Sequence, residues 1–334
     1  MKNGLYISNV PALYREDLRN ALRERLGCRI LHYDDDPMFR ELMGRMHIRG
    51  LDRFLKRVRP DVVFSSEFSP ITVQFLLRRR RYGYKLVSFC DDSVDMIGGN
   101  DFSLMHRIAR HFIPRRVDEL VVHSPAVQEW YQSRFGKGLL MPIIADERRV
   151  RPELERVLPL SERLRPGEKP VVGFVGRLVG LKNVPALIRA FEPLKERAQL
   201  VIIGDGEERS ALEKFAPFAL FTGYLSGDEL LAWYNLIDIL VLPSTQEAYG
   251  TVTGEALMAG AKVIVSKLAG SSSLVREGEN GYVVDPLDAD AMRARLDELL
   301  EAVPQGRPLA LRENLLPFRF EDCMEGLIRK INSL

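Results

Sequence analysis

The chain has 334 residues, of which 46% are hydrophobic and 28% are charged, and this composition excludes a disordered or low-complexity protein. The length is sufficient for two domains of ordinary size. The overall net charge is only +2, but residues 1–150 hold 26 Lys and Arg against 19 Asp and Glu, and the remainder is acidic. The basic first half predicts an anionic partner there, such as a membrane surface or a phosphate-bearing acceptor.

The cysteine and hydropathy patterns argue against a disulfide-rich secreted protein and against a membrane-spanning one. The three cysteines, Cys28, Cys90 and Cys323, are far apart and predict neither a disulfide framework nor a metal site. The first ten residues lack the apolar core of a signal peptide, and no apolar run reaches the length of a membrane span. We expect a cytoplasmic protein that can touch the inner face of the membrane. Because aromatic residues are sparse among the basic ones, we expect no nucleic-acid partner.

Apolar runs alternate with amphipathic stretches along the chain, a pattern that predicts parallel α/β sheets. The first half predicts strands near residues 4–9, 28–33, 61–65, 85–90, 118–123 and 138–142. It predicts helices near residues 13–26, 38–58, 70–82, 103–113 and 125–135. Residues 144–168 are charged, rich in proline and without a sustained apolar face, so we expect an irregular connection between two domains.

A second α/β unit follows this connection. Its predicted strands lie near residues 170–176, 199–203, 219–222, 238–242, 262–266 and 281–284. Its predicted helices lie near residues 184–196, 207–215, 227–235, 252–259, 271–277 and 288–302. A last helix, about 321–332, has room to cross back to the first domain. We therefore predict one domain of residues 1–165 with the C-terminal segment 318–334, and a second domain of residues 166–317.

The stretch from Ser244 to Gly260 lies between two apolar strands and contains a small-residue loop and one short helix. At this place in a parallel sheet, free backbone N–H groups and the helix dipole favour an anion. Two carboxylates, Glu247 and Glu255, would repel a bare phosphate but would accept hydrogen bonds from sugar hydroxyls. Two such glutamates also occur by chance, yet together with the loop they favour a nucleotide sugar as ligand.

Two cations follow the strand that ends at Gly176. Arg177 and Lys182 bracket the loop and the start of the next helix. A fixed Arg offers a planar donor fork and a Lys offers a compact charge, so the pair could hold a diphosphate. The alternative is a solvated helix start, which is the usual role of such a pair when it is seen alone.

Two further loops contain small residues after predicted strands. Gly204 and Gly206 allow the backbone to approach a ligand closely, although a plain tight turn is an equally good interpretation. Thr222, Gly223 and Tyr224 end the next strand, where a glycine beside an aromatic ring could seat a nucleobase. Each of these two signals is weak when it is taken alone.

Taken in this order, the loops resemble those of the retaining nucleotide-sugar glycosyltransferases called family 4 or group 1. The resemblance covers about residues 170–300 and is looser in the first half. It implies the GT-B fold, an α/β architecture of two Rossmann-like parallel-sheet domains that face each other across a cleft. In this family the C-terminal domain binds the donor, the N-terminal domain binds the acceptor, and the last helix crosses back to the first domain.

The resemblance also assigns roles to individual residues. Arg177 and Lys182 would hold the donor diphosphate, Glu255 would accept a hydrogen bond from the ribose, and Glu247 would orient the transferred sugar. The other donor-binding positions lie in the same loops and are Gly176, Gly204, Gly206, Thr222, Gly223, Tyr224, Tyr249, Gly250 and Thr251.

The implied reaction moves a hexose from a nucleotide diphosphate donor to an acceptor hydroxyl with retention of anomeric configuration. Attack would occur on the same face of the sugar, and the leaving phosphate would help to take the proton of the acceptor. Positive side chains favour the charge that grows on the leaving group. We expect a UDP- or GDP-linked donor, no metal or other cofactor, and a saccharide or lipid-linked acceptor from glycan, capsule, lipopolysaccharide or glycolipid synthesis.

Three departures from the family concern the acceptor half. Where many relatives carry a histidine after the fourth strand, this chain has Cys90 and Asp91, and we predict that Asp91 orients the acceptor or the sugar. The early glycine-rich loop is replaced by residues 8–11, and the usual Asn-Gly is replaced by residues 143–146. The run Arg78–Arg81 is either a solvated helix end or a contact with an anionic membrane.

Two other functions fit parts of the same pattern. A nucleotide-sugar epimerase or phosphorylase could share the fold, and a non-catalytic sensor or scaffold could share the donor site. The presence of both Glu247 and Glu255 argues against the non-catalytic alternative. A nicotinamide-dependent oxidoreductase is disfavoured because no complete Gly-x-Gly-x-x-Gly opens a βαβ unit.

Overall fold

The computed structural model describes residues 3–8, 13–32, 50–93 and 104–334. By its internal contacts the chain divides into two compact units, one formed by Met1–Ile143 and Glu321–Leu334 and the other by Ile144–Phe320. Each unit contains one six-stranded sheet, and every paired strand within it is parallel.

The first sheet has the strand order β2-β1-β3-β4-β5-β6. Its strands are β1 Gly4–Ser8, β2 Arg29–His32, β3 Val62–Ser66, β4 Lys85–Cys90, β5 Glu119–Val122 and β6 Leu139–Leu140. A short 3-10 helix, Leu13–Arg15, precedes the helices that the described residues of this unit form before residue 143, which are α1 Glu16–Leu26, α2 Leu51–Val58, α3 Pro70–Tyr82, α4 Leu104–Arg116 and α5 Pro125–Phe135. Continuous apolar runs make the central strands buried on both faces, as a covered parallel sheet requires.

The second sheet has the strand order β12-β11-β10-β7-β8-β9. Its strands are β7 Val171–Val175, β8 Gln199–Ile203, β9 Leu220–Gly223, β10 Ile239–Leu242, β11 Lys262–Ser266 and β12 Gly281–Val284. Its helices are α6 Glu147–Arg156, α7 Leu158–Leu164, α8 Val184–Phe191, α9 Arg209–Phe215, α10 Gly227–Leu236, α11 Val252–Met258 and α12 Ala289–Glu301. Three 3-10 helices accompany them, Gly180–Lys182, Glu192–Leu194 and Gly270–Leu274.

The strand order of the second sheet reverses between β7 and β10. From β7 the chain builds outward to β8 and β9, and from β10 it builds in the opposite direction to β11 and β12. In an open parallel sheet, the crevice beyond the carboxyl ends of the strands at such a reversal is where ligands bind. The loops after β7 and β10 are therefore the first place to look for a site.

All twelve predicted strands are present, and the largest error concerns residues 144–168. This segment forms α6 and α7 instead of an irregular connection, and both helices pack on α10 in the second unit. Only a few of its side chains are buried, among them Leu154 and Val157, so the sequence shows no sustained apolar face. Polar contacts complete the packing, because Asn235 Nδ2 donates to the Leu154 carbonyl over 2.7 Å.

Two other predicted helices differ from the structure. The one expected at residues 271–277 is the short 3-10 helix Gly270–Leu274. Of the one expected at 38–58, only α2 lies within the described residues, and its earlier part lies outside them, as do residues 9–11 of the early loop. The contact division at Ile143 also precedes the predicted domain boundary at residue 165, since α6 and α7 pack within the second unit.

The last helix, α13 Phe320–Asn332, returns to the first unit, as predicted. Its beginning is attached by an ion pair between Arg25 and Glu321. Near its end, Lys330 Nζ lies 2.9 Å from the buried carboxylate of Glu119. Two charged contacts, one at each end, thus fix this helix to elements that precede it by some two hundred residues or more.

A buried charge cluster attaches the segment before α13 to the start of β10. Asp238 Oδ1 lies 2.5 Å from Arg307 Nε and 3.3 Å from Arg312 Nη1, and its Oδ2 accepts from the Val171 N–H over 2.8 Å. The carboxylate side chain is only 6% exposed. Burial, together with the charge of Arg307, lowers the pKa of Arg312 to about 10.

Candidate active site

Backbone hydrogen bonds join four loops at the carboxyl edge of the second sheet. The Leu178 N–H after β7 donates to the Asp205 carbonyl after β8 over 2.9 Å. The Gly204 N–H donates to the Gly223 carbonyl at the end of β9 over 2.8 Å. After β10, the Thr245 N–H donates to the Leu181 carbonyl over 2.9 Å. The loops that carry the sequence-predicted residues therefore form one continuous edge.

The glycines of these loops allow backbones to touch one another. A Cβ on Gly204 would lie 1.9 Å from the Gly176 carbonyl oxygen, and a Cβ on Gly206 would lie 2.3 Å from that of Leu178. Any side chain at either position would force the loops after β7 and β8 apart. Contact between the loops thus explains these glycines by itself, and their contact with a ligand stays a prediction.

Lys182 and Glu247, which the sequence places on different loops, form an ion pair between Nζ and Oε2. Their side chains are only 17% and 14% exposed, and the Ser244 hydroxyl lies 3.5 Å from the same carboxylate oxygen. An ammonium group has three N–H bonds, so Lys182 can hold Glu247 and still donate to a phosphate. The pair puts a cation and a hydrogen-bond acceptor side by side at the strand-order reversal.

Arg177 lies at the same edge of the second sheet, but unlike Lys182 it is exposed to solvent. Its side chain is exposed, and within the described parts of the chain it has no hydrogen-bond or ion-pair partner. A guanidinium in this condition retains its full donor capacity for an incoming anion. The site therefore contains one cation that is already paired and one that is available.

Glu255 is held by a residue that the sequence analysis missed. The hydroxyl of Tyr234, a buried residue of α10, donates to Glu255 Oε2. Burial raises the pKa of Glu255, and the hydrogen bond from Tyr234 opposes that shift. Oε1 has no donor among the described residues, so one carboxylate oxygen remains for a ligand hydroxyl. No local pattern links Tyr234 with Glu255, because the two residues are 21 positions apart in the chain and meet only once it has folded.

Nucleotide affinity is expected to fall on acidification at a higher pH than an ordinary glutamate would cause. A carboxyl with a raised pKa takes up its proton earlier as the pH drops, and a protonated Glu255 accepts more weakly from a hydroxyl. Calorimetric titration of nucleoside diphosphate across the acidic range measures this. Tyr234→Phe removes the opposing hydrogen bond and should move the midpoint to still higher pH, whereas an unmoved midpoint would exclude Glu255 as its cause.

The loop before α11 exposes backbone donors. Gly250 has φ 90°, and a Cβ there would lie 2.5 Å from Leu242 Cδ2, so glycine is required for this turn. Among the described residues, the N–H groups of Gly250 and Thr251 have no acceptor. The Tyr249 carbonyl, in contrast, accepts from the Ser271 N–H over 2.8 Å, which fixes the loop against the next 3-10 helix.

The predicted nucleobase position is open to solvent. Tyr224 is 76% exposed, and Arg209 packs against the neighbouring Gly223, where a Cβ would lie 3.0 Å from Nη1. The Thr222 hydroxyl donates to the Gly223 carbonyl over 3.0 Å. The tyrosine ring is thus available for stacking, while the threonine hydroxyl is used within its own loop.

In the first unit, Asp91 lies at the centre of a charged group at the end of β4. Arg15 Nη2 forms an ion pair with Asp91 Oδ1, and His123 Nε2 lies 2.8 Å from the same oxygen. The other ring nitrogen of His123 lies 2.7 Å from the Met141 carbonyl oxygen. Burial alone would raise the pKa of Asp91, but the Arg15 charge and the His123 hydrogen bond outweigh it and hold that pKa well below its usual range.

The neighbouring Cys90 lies in a different environment, away from solvent. It is buried, its Sγ lies 3.7 Å from the Tyr131 hydroxyl, and burial raises the pKa of the thiol well above its usual value. Asp91, whose side chain is 27% exposed, is therefore the one of the two that a ligand can reach. The sequence analysis selected Asp91 but gave no signal that Arg15 and His123 fix it.

Acidic residues pair with most of the predicted membrane-binding run. Arg78 Nη2 lies 3.3 Å from Asp52 and its Nη1 donates to Gln74, while Arg79 Nη1 lies 2.9 Å from Asp118. Arg81 is exposed, but its Nη1 lies 3.7 Å from Asp52 Oδ1, and among the described residues only Arg80 of the run has no hydrogen-bond or ion-pair partner. No helix within the described ranges is both long and apolar enough to cross a membrane. The same ranges hold no group of three or more acidic, histidine or cysteine side chains arranged for a metal ion.

The second domain is similar to known glycosyl transferases. The family described as glycosyl transferases group 1 matches residues 169–302, which include all four loops. A GDP-mannose-dependent alpha-mannosyltransferase of Corynebacterium glutamicum is 39% identical over 122 residues, covering 36% of this chain and 29% of that protein. A GDP-mannose-dependent alpha-mannosyltransferase of Mycobacterium tuberculosis is 31% identical over 264 residues, covering 74% of this chain and 64% of that protein.

The matched segments thus span less than two thirds of the length of these curated relatives. Among solved structures, HepE of Anabaena in complex with UDP superposes with a TM-score of 0.76 and 17% identity over the whole of both chains. This likeness confirms the predicted GT-B fold. Residues 169–302 thus form a domain that matches the group 1 glycosyl transferases.

Proposed function

We propose that the protein transfers a sugar from a nucleoside diphosphate donor to an acceptor hydroxyl with retention of anomeric configuration. The observation that carries this proposal is the Lys182–Glu247 pair beside the unpaired Arg177 at the strand-order reversal. Cations for a diphosphate and a carboxylate for sugar hydroxyls are the two kinds of group that a nucleotide sugar requires. The names of the relatives support a hexose donor.

In the proposed reaction, the bond between the anomeric carbon and the diphosphate oxygen breaks and its electron pair stays on the phosphate. Arg177 and Lys182 favour the charge that grows there. The acceptor hydroxyl forms the new bond on the same face, and its proton passes to the leaving phosphate. Glu247 accepts hydrogen bonds from the sugar, and Glu255 Oε1 accepts one from the ribose. No metal takes part, since the two cations supply the positive charge.

On the acceptor side, Asp91 orients a hydroxyl and does not remove its proton. A general base works best when its pKa lies near the working pH, and the pKa of Asp91 lies far below it. A carboxylate that is fixed by Arg15 and His123 is instead a rigid hydrogen-bond acceptor. The acceptor is a saccharide or a lipid-linked precursor, as in glycan, capsule, lipopolysaccharide or glycolipid synthesis.

The first test is a calorimetric panel of uridine, guanosine and adenosine diphosphates with their hexose conjugates. One relative is named for GDP-mannose and one structural neighbour holds UDP, so both bases belong in it. We expect one diphosphate to bind well, and Arg177→Ala to weaken it by roughly 10-fold or more through the loss of a charged hydrogen bond. Arg293→Ala removes an exposed arginine of α12 from outside the site and is the matched control.

Two outcomes would contradict the proposal. If no diphosphate binds, the second domain loads no nucleotide sugar. If a nucleotide sugar binds and turns over without any acceptor, or only with inorganic phosphate, the protein is an epimerase or a phosphorylase. Binding with no turnover against a broad set of acceptors would favour the sensor or scaffold.

A further inference from the structure

Helix α4 presents an outward face that is both basic and apolar. We call this face the α4 surface, and its members are Arg107, Ile108, His111, Phe112, Arg115 and Arg116, all of which are exposed. At about 100° per residue they fall within one half of the helix circumference. Ile108 and Arg115 lie near the middle of that half, His111 and Phe112 lie on either side of them, and Arg107 and Arg116 lie at its two edges. Apolar and cationic groups are therefore interspersed on one amphipathic face.

Exposed apolar side chains are concentrated at this place. Ile108 is 57% exposed and Phe112 is 40% exposed, and Leu77, on the adjacent helix α3, is 68% exposed. Among the described residues of the first unit, Tyr14 is the one other large hydrophobic residue with comparable exposure. Single exposed apolar residues need no explanation, but three on two packed helices favour an interaction site.

The charge of the surface has one sign. Residues 104–116 contain no Asp or Glu, and Arg110, the arginine that faces inward, is neutralised by the partly buried Asp92 at 2.7 Å. The nearby Asp52 and Asp118 already pair with Arg78 and Arg79 of α3. The outward arginines therefore have no acidic residue of α4 to neutralise them, and the exposed Arg80 of α3 adds to the same charge.

The arginines lie along aromatic rings. The Arg116 guanidinium carbon is 3.6 Å from the centroid of the Phe112 ring, and that of Arg115 is 5.0 Å from the centroid of Phe135. In this arrangement the charged head itself lies over a ring, and the heads of Arg115 and Arg116 also donate to the carbonyls of His111 and Phe112. A guanidinium has five N–H bonds, so each head keeps donors for a lipid phosphate while the ring beside it meets the acyl boundary.

We propose that the α4 surface docks the protein on an anionic lipid bilayer, with Ile108 and Phe112 in the interface and the arginines on lipid phosphates. The basic first half of the chain supplies the long-range attraction, and the apolar residues supply the contact that salt does not screen. The alternative occupant is a protein with an acidic face. The proposal does not depend on the enzymatic activity, because lipid binding is measured without substrates.

The test is flotation of the full chain with vesicles of equal parts phosphatidylglycerol and phosphatidylcholine, and with phosphatidylcholine alone. We expect binding to the anionic vesicles only. Arg107→Ser/Arg115→Ser/Arg116→Ser should lower the partition coefficient about 100-fold, roughly fivefold for each arginine. The matched control, Arg53→Ser/Lys56→Ser/Arg57→Ser, removes the same charge from exposed positions of α2 and should bind nearly as well as the wild type.

A second variant tests the apolar part. Ile108→Ser/Phe112→Ser keeps every charge and should weaken binding to the anionic vesicles roughly 10-fold. The binding that remains should be electrostatic and should be abolished by added salt. Equal thermal melting of all variants controls for folding. The proposal is overturned if the wild type ignores anionic vesicles, as a protein partner would predict. It is also overturned if the α4 charge variant binds like the wild type, or if the α2 control loses as much.

Discussion

Replacing Glu247 by alanine is expected to lower sugar transfer about 100- to 1,000-fold, as the loss of one preorganised polar group at a reacting centre does. The affinity for free nucleoside diphosphate should stay at the wild-type value or rise. The reason is the ion pair with Lys182: without Glu247, the ammonium group has lost its protein partner and is free for phosphate. Initial rates of diphosphate release and calorimetric titration measure the two quantities separately.

Two further variants sharpen this test. Glu247→Gln keeps the shape and removes the charge, and it should retain part of the transfer. Asp91→Asn, in the other unit, should raise the KM for the acceptor and leave diphosphate binding unchanged. Transfer that is unaffected in Glu247→Ala would remove Glu247 from the sugar site. A loss of diphosphate affinity as large as the loss of transfer would mean that Glu247 serves only to position Lys182.

The second large effect concerns stability. Asp238→Ala should lower the free energy of unfolding of the second unit by about 3–5 kcal/mol, because it leaves Arg307 and Arg312 buried without their carboxylate. The change also removes the acceptor of the Val171 N–H at the start of β7. Asp297→Ala, which breaks an exposed pair with Arg197, is the matched control and should have a far smaller effect.

The measurement can be confined to the unit concerned. The chain has two tryptophans, Trp130 in the first unit and Trp233 in the second. In a Trp130→Phe background, urea unfolding followed by fluorescence reports the buried Trp233 alone. An Asp238→Ala midpoint equal to that of the control variant would show that the two arginines find other partners.

The sequence predicts the strands of the second unit well because their signals are local. Apolar runs specify the strands, and the family pattern places Arg177, Lys182, Glu247 and Glu255 in the segments that follow β7 and β10. The structure brings Lys182 and Glu247 into contact, and the sequence does not foresee this pairing. It requires the register of β7 beside β10, which no spacing along the chain encodes.

The missed features depend on tertiary packing. Tyr234 reaches Glu255, and Arg15 and His123 reach Asp91, only after distant elements have packed together. The run Arg78–Arg81 reads as one basic patch, yet Asp52 and Asp118 pair with three of its four arginines. In residues 144–168, a few buried side chains and polar contacts with α10 are enough for two helices, and so sparse a pattern is not visible as an amphipathic face.

The ion pair at the strand-order reversal has a consequence for turnover. A ligand that offers only phosphates must share Lys182 with Glu247, whereas a complete nucleotide sugar also offers its hydroxyls to that carboxylate and leaves the ammonium group for the phosphate. Once the sugar has moved to the acceptor, Glu247 loses its hydroxyl donors and competes again for the ammonium group. The proposed enzyme would then discriminate against its own nucleotide product, which limits product inhibition, and Glu247→Ala should abolish that discrimination.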